Sequence, residues 1–137
     1  MNTKLPKPDE AFTLEFVADS NVVKLIRPFP PLDPLSAVKW SILKWRFIVS
    51  RLLKNLFPRD GAYHTCGLCE FYRRPGATAR EGCEACPIGR FTKRPYCEGT
   101  PYFDYVSLHS VANARTELAF LRRILSLEKA RLKEAKP

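Results

Sequence analysis

The five cysteines constrain this chain more than any other feature, because all of them fall between residues 66 and 97 of a 137-residue sequence. Four form two pairs, Cys66-x-x-Cys69 and Cys83-x-x-Cys86, with 13 residues between the pairs; Cys97 stands apart. Zinc prefers four tetrahedral thiolate or imidazole ligands. A C-x-x-C turn bends the backbone back far enough for two sulfurs to meet on one ion, and a second such pair completes the shell. Gly67, Pro75, Gly76 and Gly82 suit the tight turns this needs. The spacing therefore predicts a structural Zn²⁺ knuckle built from Cys66, Cys69, Cys83, Cys86 and Cys97.

Five thiols exceed four places. Cys97 is a candidate to replace Cys83 or Cys86, or else a buried free thiol packing as a small hydrophobe. His64, next to the first pair, is read as a surface or supporting residue, and His109 has no sequence neighbour to ligate with. Three rivals compete with zinc. An iron–sulfur cluster also takes four cysteines, but the compact C-x₂-C-x₂-C run of ferredoxins is missing. Disulfides would leave one of five thiols over. A redox Cys66-x-x-Cys69 would want strands alternating with helices, and none are patterned here. Catalytic zinc lacks support as well: the proline follows its pair, as Cys86-Pro87, and neither His-x-Glu nor His-Glu-x-x-His occurs. With no paired carboxylates and no glycine-rich phosphate loop, the sequence predicts no enzyme and no catalytic residues.

The formal net charge is +9. Residues 1–56 and 106–137 hold +4 each, and the cysteine-bearing stretch 57–105 only +1. A bias toward anionic partners thus belongs to the flanking helices rather than to the knuckle. The opening "MNTKLPKPDE" has no apolar run of the kind that directs export. The most apolar stretch, "LSAVKWSILKWRFIVSRLL", is broken by Lys39, Lys44, Arg46 and Arg51, whereas a membrane span needs roughly 20 nearly uncharged residues. The expectation is a cytoplasmic protein with no membrane contact, in a reducing compartment where clustered thiols favour metal.

Along the chain, residues 1–10 read as a flexible lead-in. Phe12, Leu14 and Phe16 alternate with polar residues, "ADSN" is turn chemistry, and "VVKLIRPF" is β-branched, so 11–29 reads as a β-hairpin. Asp33-Pro34 starts a helix over 33–56. Leu35, Val38, Ile42, Trp45, Ile48 and Leu52 make its face, and Trp40, Leu43 and Phe47 widen it. So wide a stripe implies burial on two sides, or a partner on one of them. Residues 60–102 form the cysteine-rich metal module. "GTPYFDYVSL" reads as extended or turn, and 110–135 as a second long helix with Val111, Ala114, Leu118, Leu121, Leu125 and Leu132 inward. Glu128 near that face suggests that the last turns leave the core.

The order "LSAVKWSILKW", "CGLCEFY", "CEACPI", "YCEGTPY" and "ELAFLRRIL" resembles a group of small cysteine-rich proteins encoded by tailed bacteriophages and prophages. The likeness covers roughly residues 35–127. It rests on Ser41, Leu43, Lys44 and Trp45; on Cys66, Leu68 and Cys69; on Cys83, Cys86 and Pro87; and on Cys97, Thr100, Pro101 and Tyr102. It implies a metal-binding accessory protein in the host cytoplasm, with no activity attached.

The expectation is therefore one α+β domain: an N-terminal hairpin, two long helices, and an irregular zinc-knuckle module between them. Two functions fit. One is binding to a host or phage protein, modulating or inhibiting it, through an apolar face bearing Trp40, Trp45 and Phe47. The alternative is nucleic-acid binding through Lys39, Arg46, Lys54, Arg122, Arg123 and Arg131.

Overall fold

The computed structural model describes residues 6–17, 20–26, 33–60, 65–72, 78–94 and 97–135. His64, Pro75 and Gly76, and the ends of the expected lead-in and hairpin, lie outside these residues. The order is α1 (Pro8–Ala11), β1 (Phe12–Val17), β2 (Ser20–Leu25), α2 (Pro34–Leu52), α3 (Gly67–Tyr72), α4 (Ala79–Ala85), α5 (Pro87–Thr92), α6 (Pro101–Ser107) and α7 (Val111–Ala135). The class is α+β, as expected, with an N-terminal antiparallel hairpin and mostly helices. Several expectations are corrected, two of them at the level of the layout. The segment between the long helices is not irregular, because it folds into four short helices among the described residues. The lead-in is partly ordered, because Pro8–Ala11 make one helical turn that Arg51 holds through Asp9 at 3.1 Å.

Each element starts where its sequence dictates. Asp33 caps α2, its carboxylate accepting the Ser36 N–H at 2.7 Å, with Pro34 in the first turn, where its missing N–H costs nothing. Thr78 and Glu81 form a reciprocal capping box on α4. Pro87 and Pro101 open α5 and α6. The expected extended segment after the cysteines is thus a helix. Thr100 stands at its cap, and its hydroxyl donates to the Cys97 carbonyl at 2.7 Å.

In the hairpin Phe12 pairs with Leu25 and Phe16 with Asn21. The inward row runs off the core toward the tip: Phe12 is buried and Phe16 is exposed. Arg59 joins the free edge of β2, with the Val23 N–H donating to the Arg59 carbonyl at 2.9 Å. That added strand residue sets Asp60 beside α2.

Helix α2 is central. It packs on α1, α3 and α7, so the wide stripe is explained by burial on several sides. Phe12 lies 5.5 Å from Trp40 and 6.0 Å from Phe47, centroid to centroid. Tyr105 of α6 meets the Trp45 ring edge-on at 5.0 Å and donates its hydroxyl to the Pro58 carbonyl.

The seam of α7 differs from the expected one. Ala114, Glu117, Leu118, Leu121, Ile124 and Glu128 are buried, and Leu125 only partly. The helix does not leave the core at Glu128. That carboxylate is fully buried because Arg90 of α5 reaches it at 2.9 Å and Arg131 closes on its other oxygen. Paired and hydrogen-bonded on both oxygens, a carboxylate can stay inside.

Candidate metal centre

Four short helices carry the thiols to one place. Cys66 precedes α3 and Cys69 lies in its first turn. Cys83 is in α4, Cys86 is the residue between α4 and α5, and Cys97 sits in the turn before α6. Two glycines permit the close approaches. A Cβ on Gly67 would come 2.5 Å from the Trp40 Cβ, so only glycine lets α3 lie this tightly on α2. A Cβ on Gly89 would fall 1.9 Å from the Cys83 carbonyl oxygen, so α5 folds back on α4 only with glycine there. Gly67 therefore serves packing rather than a turn. Cys97 has φ of 59°, a left-handed conformation that costs a non-glycine residue roughly 1–2 kcal/mol. Such strain persists where surrounding structure enforces it, often at functional sites.

All five cysteines line a single cavity of about 450 Å³. Its floor is α2, through Ser41, Lys44 and Trp45, and α7, through Glu117 and Leu121. All five are free thiols. Among the described residues, no three His, Cys, Asp or Glu side chains are drawn together in a group that could hold a metal ion. The sequence-predicted ligands thus surround one space without meeting at one point.

The wall carries charges that the motif reading missed. Lys44 Nζ lies 2.7 Å from Asp60 Oδ1, and both side chains are almost wholly buried. Burial works against the lysine's charge, yet Asp60 and the Cys66 sulfur outweigh it and hold its pKa above the ordinary lysine value. Cys66 is the one thiol pushed down, to about 6. The Cys69 thiol donating to it is the largest cause; burial opposes, while Lys44 and the Cys69 N–H, 3.4 Å from Cys66 Sγ, assist. The Ser41 hydroxyl sits 3.9 Å from the same sulfur. Cys69 is pushed up, first by its bond to Cys66 and then by burial. Burial pushes Cys86 up to about 12, and burial with the Cys66 charge raises Cys97 as well. Glu117 is pushed up to about 8, mainly by burial. Its Oε2 is buried with no hydrogen-bond partner among the described groups. Lys44 had one sequence signal: a lysine inside an otherwise apolar helical stripe, where burial demands a partner.

The other candidate residues scatter. Trp40, Trp45 and Phe47 are at most 2% exposed. They build the core, so the apolar docking face expected of them is not presented. Lys39, Arg46, Lys54, Arg122 and Arg123 are exposed, and Arg131 is committed to Glu128. His109 packs on Tyr105 at 4.7 Å, away from the cavity lining. Among the described residues no helix is long and apolar enough to cross a membrane.

No protein-family model matches the chain, and no curated protein or solved structure is detectably similar to it.

Proposed function

We propose that this chain is a metal–thiolate accessory protein whose metal centre staples its fold and whose outer helical surface binds a partner. The observation that carries this reading is the convergence of five free cysteines on one cavity. Zinc is the metal the spacing suggested. Ligand thiols must lose their protons on binding. Cys66, with its lowered pKa, is the natural first ligand, and the raised thiols would release protons as metal enters. The motif order, which resembles that of small phage-encoded proteins, would suit an accessory role. Thermal melts with and without a chelator test the staple: metal removal is expected to lower the midpoint by well over 10 °C, and an unchanged midpoint rejects it.

The surface best suited to a partner is the outward face of α7, and nucleic acid is the partner it fits. Arg115, Arg122 and Lys129 recur every seven residues, all exposed, with Arg123 and Lys133 beside them. Two of the helix's three carboxylates, Glu117 and Glu128, are turned inward and buried. The exposed face is left strongly cationic, as a phosphate backbone requires. Binding to generic DNA and RNA should then fall steeply with salt, and Arg122→Glu with Arg123→Glu should abolish it. Salt-insensitive or absent binding rejects the reading. A second reading, protein binding, is favoured by Phe103 and Val106 of α6 and by Leu108, all exposed. It predicts salt-tolerant capture of a partner that Val106→Asp prevents.

A further inference from the structure

We propose that the thiol-lined cavity binds an iron–sulfur cluster rather than a single zinc ion. This rests on the metal–thiolate reading and specifies its occupant.

The argument is one of volume and spacing. In a zinc knuckle every sulfur stands about 2.3 Å from one ion. Four sulfurs so placed touch one another and enclose no room beyond the ion. Two zinc ions held by five thiolates would need bridging sulfurs and would draw them closer still. Here the five cysteines border about 450 Å³, a space in the range of cofactor pockets. No three acidic, thiol or imidazole side chains among the described residues gather where one ion could sit. A sulfide-bridged cluster reconciles these facts. Inorganic sulfide fills the centre, and each cysteine sulfur bonds its own iron at the periphery, so the protein ligands need not converge on one point; the Cys66–Cys69 hydrogen bond gives way as the cluster enters. Four cysteines suffice, and the fifth is a spare.

Two features of the wall fit such an occupant. It is largely apolar, with Leu68, Ile88 and Leu121 shielding the space. The strained left-handed backbone at Cys97 brings a fifth thiol to the cavity from a separate turn.

The test is elemental analysis of the full chain, produced with iron in supply and purified without oxygen, together with its visible spectrum. A cubane predicts about four irons and about four sulfides per chain, with a broad visible absorption that dithionite bleaches. One zinc per chain, or iron without sulfide, overturns the cluster and leaves the metal–thiolate reading standing. A folded chain with no metal overturns both.

Discussion

The two faces of helix α2 are built on opposite physical principles. One face, carrying Trp40 and Phe47, closes on Phe12 in a dry aromatic cluster with ring separations of 5.5 and 6.0 Å. The other, carrying Ser41, Lys44 and Trp45, looks onto a cavity of about 450 Å³ ringed with thiols and buried charge. The first is stabilised by apolar burial and needs nothing further. The second leaves space and polar groups in the interior, an arrangement that costs free energy unless something bound there offsets it. The difference teaches where to look for function: on the face that does not complete itself.

Mutations on the two faces should therefore behave differently. Phe47→Ala removes a fully buried ring and should cost about 3–5 kcal/mol, seen as a lower denaturation midpoint. The folded fraction should keep its full metal content, and loss of metal in parallel would blur the distinction between the faces. On the cavity side, Lys44→Met strands Asp60 and should cost about 3 kcal/mol. Adding Asp60→Leu should restore most of that in a double-mutant cycle, and no restoration would mean that Lys44 acts through something other than this pair.

Gly89→Ala should cost roughly 1–3 kcal/mol by prising α5 from α4. Because it moves Cys86 relative to Cys83, metal affinity should fall as well, measured by chelator competition. A further effect, read from pH, concerns Glu117. Unfolded, it loses its proton near 4.5; folded, near 8. Between those values the folded chain holds more protons than the unfolded one. Stability should thus decline as pH rises through this window, by at most about 1.4 kcal/mol per pH unit, and level off above it. Glu117→Gln should flatten that slope in denaturation series at several pH values; a slope unchanged by the substitution would remove Glu117 as its source.

The apolar stripe of α2 was readable because its signal is periodic: Val38, Trp45, Ile48 and Leu52 recur at helical spacing, and Asp33-Pro34 marks the start. The hairpin was readable for the same reason. The cysteine module was legible as chemistry but not as shape. Its helices are six or seven residues long, too short to show a period and held by contacts such as Gly67 on Trp40 rather than by propensity. The inward turn of Glu117 and Glu128 was illegible because its cause is distant. Arg90 lies 38 residues from Glu128 in sequence, and only the packing of α5 on α7 joins them. Lys44 and Asp60 were equally hidden, since an edge contact between Arg59 and β2 sets their meeting.

The most direct test of the thiol-lined cavity as a metal centre is the metal content per chain of the wild type and of five single Cys→Ala variants, all purified under reducing, oxygen-free conditions. The account predicts stoichiometric metal in the wild type, loss in four of the variants, and retention in the one whose thiol is spare. A wild type that folds without metal, or variants that all keep it, would contradict it.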